Sequence, residues 1–247
     1  MSVKVVGRFR EELLPQLAPY HLEILPTETP TAPELVISYG GDGTLLGAER
    51  DFPGIPKLAL RDHTHDPRCE KHSSSQALQA FFQGETRSES YVKLLAKTAN
   101  GEERIALNDI VIGRQMHPLS AIRCRVSQDG NLIQPQVIAD ALVIATPYGS
   151  TGYFHSITRG SFQTGIGLAY SNAVDGQGFE IFHEQAKLDI EILRGPAIVQ
   201  AGNNPDALNL QDGDHLTVSL APTPATIFGL EAFRCRECYL RRRNAVC

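Results

Sequence analysis

Residues 35 to 50 read LVISYGGDGTLLGAER, an apolar strand that runs into three glycines set around one aspartate and emerges as a helix. Few folds accept such a run. A buried strand turning directly into a helix belongs to a sheet with covering helices, and the glycines fall where a helix N-terminus aims its backbone N–H groups at an anion. Gly40 and Gly41 let the backbone approach a phosphate with no Cβ in the way, Gly43 reads as a conformation other residues find costly, and Thr44 as a helix cap or phosphate contact. Asp42 is thereby placed beside the phosphates. A carboxylate there is repelled by its ligand unless it holds something between them, such as a hydroxyl proton or a magnesium ion, and both uses belong to phosphoryl transfer. The plain alternative is a strand-to-helix turn with a capping aspartate.

Around this run the first part of the chain alternates. VKVV (3–6), HLEIL (21–25) and IPKLAL (55–60) read as strands, EELLPQLAPY (11–20) as a short helix or turn, and SSSQALQAFFQG (73–84) as a helix capped by serine and stopped by glycine. From about residue 91 the pattern becomes short β segments separated by turn residues. SQDGNL (127–132) marks a tight hairpin, because Asp-Gly supplies the positive backbone angles that such a turn requires. The expected fold is an α/β N-terminal domain with a parallel sheet, followed by a mostly antiparallel, layered β domain. The expected boundaries are 1–88 for a nucleotide-binding domain, 89–225 for a β-rich dinucleotide-binding domain, and 226–247 for a segment returning to the first, with function where the two halves meet.

Composition narrows the partners. The formal charge of −5 argues against a broad nucleic-acid or anionic-membrane surface. Apolar stretches such as ALVIAT (141–146) are too short to span a bilayer, and no basic-plus-apolar leader precedes the first strand, so the expected location is cytoplasmic. Five cysteines, at 69, 124, 235, 238 and 247, form no secreted disulfide framework, and the lone pair Cys235-x-x-Cys238 is only half of a zinc-ribbon pattern. The arginines between 234 and 243 read as an anion patch or, more plainly, as partners for the acidic excess of the first domain.

Two further stretches stand out. In ADALVIATPYGSTGYFHS (139–156) an apolar strand enters a turn dense in hydroxyls and glycine and closed by an aromatic ring, suited to a nucleotide or simply a strand-to-helix loop. LND (107–109) sets an Asn-Asp pair inside an apolar strand, where buried polar side chains need partners such as the adjacent hydroxyls of a ribose.

GGDGTLL, ALND and DALVIATPYGSTGY, in this order, resemble the NAD kinase family, which phosphorylates the adenosine ribose 2′-hydroxyl of NAD. GGDGT is shared with diacylglycerol and sphingosine kinases and, in similar form, with phosphofructokinases, and it is the TPxGSTxY element that selects the NAD kinases. The resemblance implies ATP with Mg²⁺ as donor, NAD as acceptor, and a homodimer or homotetramer. By position it makes Asp42 the acid that takes the ribose proton. Asn108 and Asp109 match an Asn-Glu pair at the ribose, shortened here to Asp, and Asp140 matches a dinucleotide-binding acid whose partner glycine is Ala141 in this chain. Thr151, Tyr153 and Ser156 match residues lining the NAD pocket, with Gly152 where alanine is usual.

The chain also departs from that family. Where the family has an N-x-G-x-x-G-F loop, this chain has LALRDHTHDPRCEKH (58–72), without glycine, and IVQAGNNPDAL (198–208) stands where a DGQ element is expected. His63, His65, Asp66, Cys69 and His72 in the rewritten loop read three ways: zinc ligands, contacts to a phosphate or a different acceptor, or solvated surface. Two other readings of the whole remain open, a kinase of this fold for another hydroxyl (nucleoside, sugar or lipid head group) and a dinucleotide-binding protein without turnover. Because no lysine lies in the glycine turn, backbone dipoles and the metal are expected to supply most of the charge stabilisation.

Overall fold

A computed structural model describes residues 1–26, 28–62, 65, 73–114, 121–175 and 178–234. These form two compact units, one of residues 1–91 with the chain from 225 onward, the other Val92–Pro224.

In the first unit, β1 (Ser2–Val6), β2 (Glu23–Ile24), β3 (Leu35–Gly40), β4 (Lys57–Arg61), β5 (Ser88–Tyr91) and, from the far end of the chain, β18 (Ala225–Phe228) build one sheet in the order β2-β1-β3-β4-β18-β5. All neighbours are parallel except β5, which pairs antiparallel with β18. The expected parallel sheet is therefore present, although HLEIL contributes only two strand residues. β3 and β4 are buried on both faces, as strands of a covered parallel sheet must be. The helices are α1 (Leu14–Leu17), α2 (Asp42–Asp51), α3 (Ser74–Phe82) and α5 (Leu230–Phe233). Ser73 caps α3 by accepting from the Gln76 amide. A buried ion pair between Lys57 of β4 and Glu49 of α2, with Lys57 Nζ also 2.6 Å from the Phe52 carbonyl, ties α2 to the sheet two turns below its start.

The second unit is two antiparallel sheets around one apolar core. The first has the order β10-β9-β14-β17-β6-β7, with β6 Leu94–Thr98, β7 Glu103–Ala106, β9 Ile122–Gln128, β10 Asn131–Ala139, β14 Leu188–Arg194 and β17 His215–Leu220. The second has the order β13-β12-β11-β8-β15-β16, with β8 Asp109–Arg114, β11 Ala141–Ala145, β12 Ile166–Ser171, β13 Phe179–Phe182, β15 Ala197–Ala201 and β16 Leu208–Leu210. Alternation along β14, whose Leu188, Ile190 and Ile192 are buried, sends one face inward to meet Leu142, Ile144 and Leu168 from the other sheet. The expected hairpin forms at Asp129 and Gly130, both at positive φ, between β9 and β10. β11 is buried on both faces because its outward Val143 and Ala145 pack under Phe154 of α4 (Tyr153–Thr158). No helix among the described residues is long and apolar enough to cross a membrane.

Candidate active site

In the first unit the chain leaves β1 for β2 on one side and then crosses to β3 on the other. The carboxyl ends of β1 and β3 thus frame the crevice where open α/β sheets bind ligands. Two glycines line it by necessity. A Cβ on Gly7, just past β1 at φ +138°, would fall 2.0 Å from the Tyr39 carbonyl oxygen, and one on Gly40 would fall 2.3 Å from Thr44 Oγ1. Gly7 stands alone after a short strand, with no motif around it to single it out.

The remaining turn residues differ in detail from expectation. Gly41, not Thr44, is the N-cap of α2, and its carbonyl accepts from the amides of Thr44 and Leu45 at 3.0 and 3.2 Å. Gly43 has no unusual backbone angle. It lies in the first turn of α2, exposed, and a Cβ there would meet nothing within 4 Å. What glycine provides at 43 is open space at the helix start.

Asp42, the first residue of α2, is half-buried and engaged by two arginines. Arg234, immediately after α5, places Nε 2.7 Å and Nη2 2.5 Å from Asp42 Oδ1, while Arg61 Nη2 stands 3.8 Å from Oδ2. Arg61 is the register partner of Gly40 and is 4% exposed. Its guanidinium lies 4.3 Å over the Phe233 ring and its Nε donates to the Phe233 carbonyl at 3.3 Å. Gly229, in the left-handed conformation, turns β18 into α5 and so returns Phe233 and Arg234 to the end of β4. Beyond the backbone dipoles and metal expected to supply most of the charge stabilisation, the turn has two guanidiniums beside it, Arg61 and Arg234.

Of the five candidate ligands in the rewritten loop, only His65 falls among the described residues. Its ring stacks on Phe9 at 3.5 Å and its Nδ1 lies 3.1 Å from Asp62 Oδ2. His63, Asp66, Cys69 and His72, and likewise Cys235 and Cys238, lie outside them. Among the described residues no group of three or more His, Cys, Asp or Glu side chains is arranged to hold a metal.

In the second unit, pairing joins motifs that are far apart in sequence. β8 and β11 align Asp109 with Ala145, so Asn108 and Thr146 are neighbours and the Thr146 amide donates to the Asn108 carbonyl at 2.9 Å. A Cβ on Gly149 would meet that same carbonyl oxygen at 2.0 Å, and one on Gly202 would sit 2.7 Å from Asn108 Oδ1. AGNN therefore lands beside the LND pair. Two hydroxyls of the hydroxyl-rich turn face inward: Thr146 Oγ1 donates to the Leu107 carbonyl at 2.7 Å, and Ser150 Oγ to the Pro147 carbonyl at 2.8 Å. Both residues are fully buried.

Thr151, Gly152 and Tyr153 remain exposed beyond them, and Ser156, also exposed, donates to the Tyr153 carbonyl at 2.7 Å. Asn108 Nδ2 donates to Asp109 Oδ1 at 3.0 Å, while Asn108 Oδ1 is buried without a hydrogen-bond partner. Asp109 is 7% exposed, and burial pushes its carboxyl up to about 6. A buried acceptor and a buried acid side by side fit a ligand that brings hydroxyl groups. Asp140 does not join them. It begins at the opposite end of β11, about 16 Å away at the usual strand rise, and is held there by Arg114 at 3.0 Å and Asn172 at 2.8 Å.

An α/β unit with a Gly-Gly-Asp-Gly-Thr turn at its switch point and a two-sheet β unit make up a fold that solved NAD and NADH kinases share. The chain superposes over its whole length on an NAD kinase from Archaeoglobus fulgidus in complex with ATP, covering 98% of that chain at a TM-score of 0.75 and 17% identity. It superposes over 99% of its length on yeast NADH kinase complexed with NADH, covering 86% of that chain at 0.77 and 17%. In sequence it is 35% identical to the NAD kinase of Acidithiobacillus ferrooxidans over 134 residues, 51% of this chain and 45% of that one. With the NAD kinase of Pyrococcus abyssi it shares 38% over 125 residues, 49% and 44% of the two chains. The aligned part spans about half the length of the curated relatives it matches, and no family model matches the chain. The chain is similar to NAD kinases in sequence over that half and in fold over its length.

Proposed function

We propose that the chain is an NAD kinase-like phosphotransferase that moves the terminal phosphoryl group of ATP to the adenosine ribose 2′-hydroxyl of NAD. The observation that carries this reading is Asp42, a half-buried carboxylate at the first residue of a helix, at the carboxyl end of a parallel strand and beside a glycine facing open space. The acceptor oxygen loses its proton as it bonds to phosphorus, and Asp42 aligns that hydroxyl and accepts the proton. A carboxylate is a weak base at neutral pH, so it works mainly by positioning and takes the proton late. ATP enters as its magnesium complex, the ion carried by the phosphates. Asn108 and Asp109 hold the ribose, which supplies the hydroxyl that the buried Asn108 Oδ1 lacks. Tyr153 stacks on the dinucleotide, with Thr151, Gly152 and Ser156 around it. Asp140, at the far end of β11, has no part in this cluster within one chain. The resemblance implies a homo-oligomer, which light scattering tests.

The deciding experiment incubates the purified chain with ATP, Mg²⁺ and a panel of NAD, NADH, nucleosides and sugars, and reads NADP with an NADP-specific dehydrogenase. NADP formation supports the proposal. Transfer to another hydroxyl with none to NAD moves the chain to a different acceptor, and NAD binding without transfer makes it a dinucleotide-binding protein.

A further inference from the structure

The glycine turn has no lysine, yet Arg61, Arg234 and Asp42 together carry one positive charge in excess at the mouth of the crevice. One short helix arranges both cations. Phe233 holds Arg61 through its ring and carbonyl, and the next residue, Arg234, reaches Asp42 through two guanidinium nitrogens. The two arginines are anchored differently. Arg61 is 4% exposed and fixed in aim, whereas Arg234 is 30% exposed and has solvent into which its fork can turn. An arginine fork matches phosphate as well as carboxylate, and the phosphate chain of a nucleotide offers more charge than one aspartate does.

We propose that Arg234 and Arg61 form the phosphate clamp of this site, and that Arg234 exchanges Asp42 for the phosphate chain of the incoming nucleoside triphosphate. Arg61 stays in place and faces a second phosphate oxygen. Asp42, released from the Arg234 fork, turns to the acceptor hydroxyl, so nucleotide binding and the readiness of the carboxylate are one event. Without nucleotide, the fork keeps Asp42 occupied. The inference rests on the phosphotransferase reading for the identity of the anion.

The test is calorimetric titration of ATP, and separately of inorganic tripolyphosphate, into the parent, Arg234→Gln, Asp42→Asn and the double variant, with NAD titrated alongside. Arg234→Gln should weaken ATP and tripolyphosphate by about tenfold or more, the scale of a lost charge-assisted bidentate contact, while NAD affinity stays within about twofold. Asp42→Asn should bind ATP several-fold more tightly than the parent, because an amide holds the fork more weakly than a carboxylate does, and the double variant should lose that gain. ATP affinity in Arg234→Gln equal to the parent's overturns the clamp. If that variant does not fold, Arg234→Lys keeps the charge without the fork, and an unchanged ATP affinity there overturns the clamp equally. A parent that makes NADP while ATP binding ignores Arg234 refutes the clamp and leaves the kinase reading intact. ATP binding that depends on Arg234 in a parent that transfers nothing to NAD does the reverse.

Discussion

Asp109→Asn should make the ligand-free protein more stable at neutral pH. Burial raises the Asp109 carboxyl from 3.8 to about 6, so the folded chain binds this proton more tightly than the unfolded chain does. Stability therefore falls as pH climbs from about 4 to about 6 and this group adds no further loss above that. Two units at 1.36 kcal/mol each amount to about 3 kcal/mol surrendered at pH 7.5, a large share of a typical 5 to 15 kcal/mol. The amide keeps the shape, can still accept from Asn108 Nδ2, and cannot ionise. It should recover up to about 3 kcal/mol at pH 7.5 and close to nothing at pH 4. Because the chain has no tryptophan, the assay is urea unfolding followed by circular dichroism at both pH values. Equal stabilities of parent and variant at pH 7.5, or a gain of the same size at pH 4, would refute the reasoning. The same variant should lose NAD affinity, since a site that holds a ribose keeps an ionised acid in place at the expense of the fold.

Asp42→Asn should lower kcat by about 10²-fold or more while NAD binding stays near the parent's, the scale of a lost general base; unchanged turnover in steady-state assay removes Asp42 from the chemistry. Asn108→Ala deletes the buried acceptor and should weaken NAD by about 1 to 3 kcal/mol in calorimetry, and equal affinity would mean that the ribose sits elsewhere. Gly149→Ala sets a methyl 2.0 Å from the Asn108 carbonyl oxygen, a backbone atom that no rotamer change can clear, and should cost about 1 to 3 kcal/mol or more in thermal unfolding. A melting temperature like the parent's would show that the two segments lie farther apart.

The glycine turn, the buried strand before it and the Asp-Gly hairpin were legible because each is local: apolar runs, glycine and positive φ act within a few residues. Arg61 and Arg234 were not legible as site residues, since they are 172 residues from Phe233's carbonyl and 192 from Asp42 respectively, and only the strand order brings them together. The pairing of LND with TPYGST depends on the register of β8 with β11, which periodicity does not specify. Thr146 and Ser150 show the limit from the other direction. A hydroxyl-rich loop suggests ligand contacts, but a buried turn has backbone groups of its own to satisfy, and these two side chains are consumed in doing so. Glycine misled in a similar way, because the pattern names the residue and not whether it serves a backbone angle, as at Gly7, or empty space, as at Gly43.

The placement of β18 between β4 and β5 has a consequence for synthesis. Both of its neighbours leave the ribosome before residue 92, yet β18 follows residue 224. At about 5 to 20 residues per second the nascent sheet waits roughly 7 to 27 s for its missing strand. Throughout that interval β4 and β5 present unpaired edges, and Arg234, the closer of the two arginines on Asp42, has not been made. A chaperone that shields sheet edges would find its substrate in this window, and a ribosome that stalls inside the second unit would release a first unit lacking both the strand that closes its sheet and Arg234.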